Sequence, residues 1–395
     1  MSFPVIANIS DVLPAIEGDS SFIVADRGDH IIVNYVVAGA ETFPPIMTRN
    51  DAIRRECRGI TFDKASGRII RRPYAKFFNL SEREETQPHN IDFSKSHHVL
   101  CKLDGSMIAP FRNSEGRIIF GTKMGNTDFV ADVEVFISDK PDYMKLTEWC
   151  LFMGFTPIFE WCSRKNRIVI DYSQDQLVLT AIRHMHRGDY HTFEEMHDLI
   201  EMAGYDIPVV QTYDSVTDVD KFIEHTRGLK DIEGYVVRFE DGSMVKVKAD
   251  SYVQIHRAKD AITNERLVVQ MILDGNIDDI KGFLPKEDLQ RLETFERAFL
   301  RNLDEYTQEL RELADASFEE CEGDKKRFAL EKSMFFSSTF KSMMFLLFGA
   351  SHKARDVFIN TLRKHLNQNI RYDEFKAEFW PDLIYHDQQE QDIDR

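Results

Sequence analysis

Apolar residues follow two different patterns along the chain, and the change lies near residue 252. Before it, from about residue 20, apolar runs are short, rich in Val, Ile, Phe and Tyr, and separated by turn residues, which is typical of β-strands. Hairpin-length turns, such as residues 113–116 and Asp241-Gly242, predict largely antiparallel sheets, and a helix is predicted near residues 192–203. The predicted strands are 31–37, 99–102, 107–112, 117–123, 156–161, 167–172, 177–183, 234–239 and 244–248.

After residue 252 the strand-like runs disappear and helical spacing takes over. One helix of this part is predicted over residues 328–348 and ends at Gly349. Its cluster 343–348 is either buried core or a partner surface, and burial is the favoured interpretation. We therefore predict an α+β chain with a first domain at 1–252 and an all-helical domain at 253–395. Before residue 328, a long amphipathic helix is predicted from apolar residues in steps of three and four, at Leu289, Leu292, Phe295, Phe299, Leu303, Tyr306, Leu310 and Leu313.

Composition bounds the class of protein. With 395 residues, of which 43% are hydrophobic, the chain can bury two cores without disulfides or structural metals. Its five cysteines contain no C-x-x-C pair, its thirteen histidines show no metal-ligand spacing, and a reducing compartment is expected. Because the chain has neither an apolar run of about 20 residues nor a signal-peptide pattern, we expect a soluble cytoplasmic protein without membrane contact.

The charge is uneven along the chain. The formal net charge of -17 argues on average against a polyanionic partner such as nucleic acid. However, residues 54–76 hold eight Lys/Arg and two Asp/Glu, whereas residues 274–324 hold six Lys/Arg and sixteen Asp/Glu. Segment 54–76 is therefore either a solvated basic face or part of a small basic cleft, and such a cleft favours weak, salt-sensitive binding of RNA.

Lysines at two places along the predicted sheets carry candidate chemistry. Lys102-Leu103-Asp104-Gly105 follows a strand, and alone it is equally compatible with a surface hairpin. Lys246 and Lys248 share one face of a strand, which favours an anion such as a triphosphate between them over two solvated lysines. A lysine with an ordinary pKa of about 10.4 cannot act as a nucleophile at neutral pH. We expect neighbouring cations and partial burial to lower the pKa of Lys102.

Several motifs carry a family resemblance. Lys102-Leu103-Asp104-Gly105-Ser106, Phe159-Glu160, Glu233-Gly234-Tyr235-Val236 and Lys246-Val247-Lys248 resemble the motifs of covalent nucleotidyltransferases, the superfamily of polynucleotide ligases and messenger-RNA capping enzymes. Glu56-Cys57-Arg58-Gly59-Ile60, Lys76-Phe77-Phe78-Asn79-Leu80, Asn166-Arg167-Ile168-Val169 and the segment 274–279 resemble the bacteriophage T4 RNA ligase 1 family. The resemblance implies an ATP-grasp-like nucleotidyltransferase domain of antiparallel sheets with helices, followed by a helical domain for RNA specificity.

The same resemblance implies an ATP-dependent RNA ligase, active in single-stranded RNA or transfer-RNA repair. Lys102 would take AMP from ATP, pass it to an RNA 5′-phosphate, and an RNA 3′-hydroxyl would then displace it. The implied roles are adenosine contact for Tyr35, phosphate contacts for Arg58, Lys76, Lys246 and Lys248, the ribose or a metal-bound water for Glu160, and Mg²⁺ or Mn²⁺ for Glu233 and Asp278. Lys123, Phe159 and Tyr252 fall at further motif positions. Phe159 and Tyr252 would either stack on adenine or pack in the core, and a helix N-cap is the alternative for Asp278. Asp104 and Gly105 are expected to shape the turn that presents Lys102.

Other functions remain open at this point. A capping-type or nick-sealing nucleotidyltransferase would need an OB-fold of about five strands after the last motif, and the helical pattern opposes it. An inactive RNA-end-binding module would not need the lysine nucleophile. The expected partner is RNA with 5′-phosphate and 3′-hydroxyl ends; use of single-stranded DNA is open, and no protein partner is implied. If the chain is phage-encoded, its compartment is the host cytoplasm.

Overall fold

The computed structural model describes residues 3–125, 128–165 and 167–385. These residues form two compact units, of which the first ends at Val253 and the second begins at Gln254. The boundary expected from the sequence, at residue 252, lies next to this division. Asn166, which belongs to one of the motifs, lies outside the described residues.

Strands dominate the regular structure of the first unit. They are β1 (Phe22–Asp26), β2 (His30–Tyr35), β3 (Arg58–Asp63), β4 (Ile69–Arg71), β5 (Phe78–Asn79), β6 (His97–Cys101), β7 (Ser106–Ile108), β8 (Phe111–Arg112), β9 (Ile118–Ile119), β10 (Phe155–Cys162), β11 (Gln176–His184), β12 (Thr212–Tyr213), β13 (Gly234–Phe239) and β14 (Met244–Lys248). The helices among them are α1 (Leu13–Ile16), α2 (Arg49–Glu56), α3 (Asp128–Ile137), α4 (Pro141–Phe152), α5 (Phe193–Ala203) and α6 (Val219–Gly228).

The strands form four sheets within the described residues. A five-stranded sheet has the order β12-β6-β13-β14-β5, a four-stranded sheet β1-β2-β3-β4, and a three-stranded sheet β11-β10-β7, while β8 and β9 form a hairpin. All of these pairings are antiparallel except that of β5 with β14. The expectation of largely antiparallel sheets is therefore confirmed.

Helices account for the regular structure described after the last strand. They are α7 (Asp250–Ile262), α8 (Glu265–Asp274), α9 (Asp278–Lys281), α10 (Lys286–Glu320), α11 (Lys325–Glu331), α12 (Ser338–Leu347), α13 (Ala354–Leu366) and α14 (Asn369–Phe379), with short 3-10 turns. The predicted mixed α+β class is thus confirmed. No described helix combines the length and the apolar composition needed to cross a bilayer.

Local sequence explains several of these elements. Thr192 caps α5 by accepting the backbone N–H of Glu195, as the predicted helix at 192–203 requires. Met343, Met344 and Leu347 of α12 have no exposed surface, so the core interpretation of this cluster is confirmed for them. They pack with Phe299 and Phe358 in the core of the second unit.

Two predicted elements are wrong. Residues 167–172 form no strand where they are described, because the backbone N–H groups of Val169 and Ile170 donate to the Asp104 carboxylate instead of a neighbouring strand. The single helix expected at 328–348 is divided into α11, a 3-10 turn and α12. Its second part begins anew because the Ser337 side chain accepts the N–H of Phe340 and caps α12.

Candidate active site

The register of the five-stranded sheet brings Lys102 and Lys248 to either side of Gly234. Cys101 of β6 pairs with Tyr235, so Lys102 follows at the level of Gly234, and Lys102 N–H donates to Gly234 O at 2.9 Å. On the other side, Gly234 pairs with Lys248 of β14. A Cβ at Gly234 would lie 2.1 Å from Val247 O, and its φ is +138°, so glycine is required there.

Glu233, the residue before β13, bridges the two lysines. Its Oε2 lies 2.7 Å from Lys102 Nζ and its Oε1 lies 2.8 Å from Lys248 Nζ. The carboxylate is 4% exposed, whereas the two lysine side chains are 20% and 28% exposed. Burial opposes ionisation of Glu233, but the two ammonium groups outweigh it and hold the pKa of Glu233 below its usual value.

Asp104 fixes the turn after Lys102. Its buried carboxylate accepts the hydroxyl of Tyr252 at 2.6 Å and, through its other oxygen, the N–H groups of Val169 and Ile170 at 2.8 and 2.7 Å. Its own N–H donates to Tyr172 Oη at 2.8 Å. Asp104 therefore ties the lysine turn to two separate segments of the first unit, residues 169–172 and the start of α7 at Tyr252.

Gly105 completes this turn against β10. A Cβ at Gly105 would lie 2.3 Å from the carbonyl oxygen of Trp161, which is main chain and cannot move aside easily. The expectation that Asp104 and Gly105 shape the turn agrees with these contacts.

A second group of cations surrounds the ring of Tyr35, at the end of β2. Lys76 Nζ and Lys123 Nζ lie 5.0 and 5.6 Å from the ring centroid. Burial would raise the pKa of the Tyr35 hydroxyl, but Arg58, Lys76 and Lys123 lower it overall. These three cations therefore act on one half-buried ring, which gives this part of the site a positive potential.

Lys246 is the lysine whose pKa falls. Burial, followed by the charges of Lys102, Lys76, Lys248 and Arg58, holds the pKa of Lys246 well below its usual value. Its Nζ lies 5.3 Å from the ring centroid of Phe77. Lys246 therefore shares the potential of the cations around Tyr35.

The expected lowering of the Lys102 pKa is wrong. Burial does act in that direction, but the carboxylates of Glu233 and Glu160 act against it, and the pKa of Lys102 is raised. Because Glu233 lies in direct contact with the ammonium, the nearest opposite charge decides the result rather than the number of cations nearby. The predicted effect of burial and cations occurs at Lys246 instead.

The carboxylate of Glu160, on β10, also raises the pKa of Lys102. Burial outweighs the opposing charge of Lys102 and, with a smaller contribution from Glu233, raises the pKa of Glu160 to about 7. This carboxyl group is therefore close to half-protonated at neutral pH. It can donate or accept a hydrogen bond in that range.

Phe159 and Tyr252 are both packed. Phe159, adjacent to Glu160 on β10, has no exposed surface and lies in the core beside Tyr143, with ring centroids 5.8 Å apart. Tyr252 is 3% exposed and supports Asp104, and Lys248 Nζ lies 5.0 Å from its ring centroid. These contacts favour packing over adenine stacking for Phe159, and a supporting role for Tyr252.

Segment 54–76 contributes fewer cations to the site than its composition suggests. Arg71 and Arg72 are fully buried, Arg54 pairs with Asp19, and Arg55 lies 2.6 Å from Glu85. Of this segment, only Arg58 and Lys76 among these residues act on the candidate site, so the small basic cleft stays a prediction that rests on those two. Arg58 and Lys76 act on Tyr35, while Arg72 belongs to a buried ion pair with Glu56.

Asp278 lies in the second unit, in the first turn of α9. Its carboxylate lies 2.6 Å from Lys281 Nζ and is 80% exposed. Asp278 accepts no helix-capping hydrogen bond in the described residues, since Ile277 holds the N-cap position of α9. The capping alternative is therefore wrong, and the metal role of Asp278 stays a prediction.

Tyr172 and the backbone of 169–170 are parts of the site that sequence reasoning missed as such. The alternating apolar residues of this segment predict a strand, whose N–H groups would pair within a sheet. The signal available in the sequence is that Asn166-Arg167-Ile168-Val169 belongs to the same set of motifs as Lys102-Leu103-Asp104-Gly105. The burial of Asp104, which requires hydrogen-bond donors, is visible only in the structure.

The site combines a lysine nucleophile candidate, a carboxylate that holds it, and surplus positive charge. Such a combination suits phosphoryl transfer, in which positioning and charge neutralisation dominate. No group of three or more His, Cys, Asp or Glu side chains in the described residues has the arrangement of a metal cage. The paired oxygens of Glu233 with Glu160 nearby still fit Mg²⁺, which uses one or two carboxylates with substrate phosphates and water.

Comparison with known proteins identifies the class. Residues 56–252 match the family model described as RNA ligase, and residues 259–377 match the model described as T4 RNA ligase 1, C-terminal domain. A Thermovibrio ammonificans protein named "Putative RNA ligase" is 31% identical over 280 residues, covering 69% of this chain and 70% of that protein. RNA ligase 1 of bacteriophage TS2126 is 24% identical over 250 residues, covering 60% of each chain.

An archaeal ATP-dependent RNA ligase is among the similar solved structures, at 14% identity, with 64% of each chain covered and a TM-score of 0.46. The two family models and the Thermovibrio ammonificans relative define the class of protein as that of the RNA ligases. Both family models are those of one branch of this class. The chain belongs to the T4 RNA ligase 1 family.

Proposed function

We propose that this RNA ligase uses ATP to join RNA 5′-phosphate and 3′-hydroxyl ends through a lysyl-AMP at Lys102 and an RNA-adenylate. The observation that carries the proposal is the bridge of Glu233 between Lys102 and Lys248, beside the cations around Tyr35. One carboxylate orients the nucleophile, while the surplus positive charge is suited to the triphosphate of ATP.

In the first step, neutral Lys102 Nζ attacks the α-phosphorus of ATP, a P–N bond forms, and pyrophosphate leaves. The RNA 5′-phosphate oxygen then displaces Lys102 to form a pyrophosphate linkage with AMP. Finally the RNA 3′-hydroxyl attacks the RNA 5′-phosphorus, and AMP leaves. Each step is an in-line displacement, so the cations act by neutralising charge on the phosphate oxygens.

We assign the remaining roles by their position around Lys102. Lys246 and Lys248 hold the α-phosphate and its neighbours, Arg58 and Lys76 hold further phosphates, and Tyr35 contacts the adenosine. Glu160, with a pKa of about 7, bonds to the ribose or to a metal-bound water. Lys123 adds to the potential at Tyr35, and Tyr252 supports the turn of Lys102.

A divalent cation, Mg²⁺ or Mn²⁺, is the expected companion of the triphosphate, and it would neutralise phosphate charge when bound. Glu233 would hold it, directly or through water, once its two lysine contacts loosen, and Asp278 is a further candidate ligand. Loss of the Glu233 contact would also remove the main cause of the raised pKa of Lys102.

The residues up to 252 form the proposed adenylyltransferase domain, and the helical residues from 253 the proposed RNA-specificity domain. Among the described residues of the second unit, regular structure is helical, so the five-stranded OB-fold of capping and nick-sealing relatives has no counterpart there. Broken single-stranded or transfer RNA in the cytoplasm is the proposed substrate.

Incubation with labelled ATP and Mg²⁺ tests the mechanism. The wild type should acquire AMP in a bond that acid cleaves and base does not, and Lys102→Ala should acquire none. Lys145→Ala, which removes an exposed lysine of α4 paired with Asp142, is the matched control and should label normally. A folded wild-type protein that forms no adduct contradicts the proposal.

Competing substrates separate the alternatives. Labelling of the lysine from GTP and not from ATP would indicate a capping-type enzyme instead of an RNA ligase. Single-stranded RNA with a 5′-phosphate and a 3′-hydroxyl should yield circles or joined products, whereas sealing confined to nicked duplexes would support the nick-sealing alternative. Single-stranded DNA in the same assay shows whether the sugar matters.

A further inference from the structure

The second unit is strongly divided in charge along its sequence. Residues 274–324, which include α10, hold six Lys/Arg and sixteen Asp/Glu. Residues 325–371, which include α11, α12 and α13, hold ten Lys/Arg and two Asp/Glu. The acidic average of the chain therefore conceals a second basic region, apart from segment 54–76.

Part of this basic region comes together where α11 and α12 meet. Lys325 Nζ, at the start of α11, lies 5.9 Å from the ring centroid of Phe345 on α12. Lys341 lies one helical turn before Phe345 on the same face of α12. Lys326, next to Lys325, is exposed. We call Lys325, Lys326, Lys341 and the nearby exposed apolar residues the α11–α12 surface.

The cations of this surface are not neutralised within the described part of the chain. Lys325, Lys326 and Lys341 form no ion pair there, whereas the acidic residues nearby are engaged elsewhere. Glu322 and Glu331 both pair with Arg327, and Glu320 pairs with Lys332. Three like charges therefore remain available to an anionic partner.

Exposed apolar side chains follow Lys325 and Lys326 along the chain. Leu330 lies one turn after Lys326 on α11 and is 66% exposed. Met334 and Phe335 follow in the 3-10 turn and are 66% and 79% exposed. Most of the surface of these three side chains is therefore open to solvent, whereas Phe336 beside them packs on Phe340 with ring centroids 5.0 Å apart.

We propose that the α11–α12 surface binds the RNA substrate, with its lysines on the phosphates of a single strand and Phe335 stacked on an unpaired base. The proposal rests on the function proposed above and adds the place of RNA contact in the second unit. Charge complementarity favours RNA over a protein partner, since three unpaired lysines beside an exposed ring match a polyanion with flat bases.

Binding of RNA in the full chain tests the surface directly. The triple variant Lys325→Ala/Lys326→Ala/Lys341→Ala removes three cations, and the probe is a fluorescent single-stranded RNA with a 5′-phosphate and a 3′-hydroxyl. At about 0.1 M salt we expect Kd to rise about 10- to 100-fold, and the slope of log K against log salt to weaken by about 2. Phe335→Ala should raise Kd about 10-fold without changing the slope.

The matched control removes the same charge from the acidic helix. Lys286→Ala/Arg301→Ala/Arg311→Ala takes three exposed cations from α10, and its Kd should stay within about 3-fold of the wild type. Equal losses in the two triple variants would show a general charge effect and overturn the proposal. So would unchanged RNA binding in the α11–α12 variant, which would leave the surface to a protein partner.

Self-adenylylation distinguishes this proposal from the proposed function. The α11–α12 variant should form lysyl-AMP from ATP at the wild-type rate, because the first step uses no RNA. Loss of lysyl-AMP in the wild type would refute the proposed function, whereas RNA binding by the same protein would still be measurable. An α11–α12 triple variant in which both RNA binding and lysyl-AMP formation are normal overturns only the assignment of the surface.

Discussion

Glu56 and Glu233 are two buried carboxylates that each bridge two cations, yet their surroundings differ. Glu56 lies between Arg72 and Arg183, with contacts of 2.8 to 3.0 Å, and all three side chains are at most 1% exposed. Glu233 lies between Lys102 and Lys248, whose side chains are 20% and 28% exposed. One bridge is sealed, and the other opens to solvent on its cationic side.

The type of cation explains what each bridge can do. An arginine keeps its proton under all ordinary conditions and binds a carboxylate through a planar fork, so Glu56 forms a permanent tie between α2, the end of β4 and β11. A lysine can lose its proton and its partner, so the bridge of Glu233 can be exchanged for substrate. A buried charge cluster therefore indicates function when its cations are lysines that solvent can reach.

Glu56→Gln should give the largest change in stability. It leaves Arg72 and Arg183 buried without a countercharge, which typically costs about 3 to 5 kcal/mol. Thermal unfolding of the full chain, followed by circular dichroism, should begin at a clearly lower temperature. Glu85→Gln, which removes the half-exposed partner of Arg55, is the control and should cost less. Equal midpoints for Glu56→Gln and the wild type would remove the structural distinction between the two bridges.

Glu233→Gln should instead change the chemistry. We expect lysyl-AMP formation to fall on the order of 100-fold, because the variant no longer orients two lysines or holds a cation. Since Glu233 raises the pKa of Lys102, the rising limb of the pH–rate profile should also move to lower pH. Single-turnover adenylylation with labelled ATP across pH measures both effects.

Glu240→Gln is the matched control for this variant, because Glu240 is exposed at the opposite end of β13. Its rate and profile should equal those of the wild type. A Glu233→Gln protein that is slow but whose profile does not move would contradict the assigned cause of the raised pKa. A rate near that of the wild type would contradict the role of Glu233 altogether.

Binding of ATP should be accompanied by the uptake of a proton at Lys246. Its pKa is well below the usual value in the free protein, and a bound phosphate would raise that pKa again. Between the pKa of the free protein and that of the complex, ATP binding therefore consumes a proton and weakens as pH rises. Calorimetry in buffers of different ionisation enthalpy measures this uptake. Lys246→Arg stays charged and should show less uptake. Equal uptake in wild type and Lys246→Arg would assign the proton to another group.

The phosphate contacts of the paired lysines have a separate test. Lys246→Ala and Lys248→Ala should each slow adenylylation about 10- to 100-fold.

The sequence predicts the chemical groups of the site better than their states. Strand alternation places Lys246 and Lys248 on one face, and the motif order identifies Lys102, Glu160 and Glu233. The direction of the Lys102 pKa could not be predicted, because it depends on a 2.7 Å contact between residues that are far apart in the chain. Counting nearby cations gave the wrong sign for Lys102 for that reason.

Segment 54–76 shows the same limit for the fold. Its composition indicates a basic face, but alternation alone does not reveal that Arg72 turns inward to meet Glu56 and Arg183. Likewise, residues 167–172 have the apolar alternation of a strand, yet their N–H groups serve the carboxylate of Asp104. In both places a long-range polar partner decides the structure, and local patterns carry no information on such partners.

Glu160 should give the smallest effect, a change in how stability depends on pH. Its pKa is about 7 in the folded protein against an ordinary 4.5, so between these values the folded state holds a proton that the unfolded state has lost. Stability must therefore fall as pH rises through this range, and the cost is fully present above the folded pKa. Glu160→Gln carries no such proton and should flatten the dependence, by a few degrees in midpoint between about pH 5 and about pH 8. An equal slope in both proteins would mean that Glu160 is ionised at neutral pH. Because Glu160 acts on Lys102 as Glu233 does, Lys102 would then lie near two full negative charges.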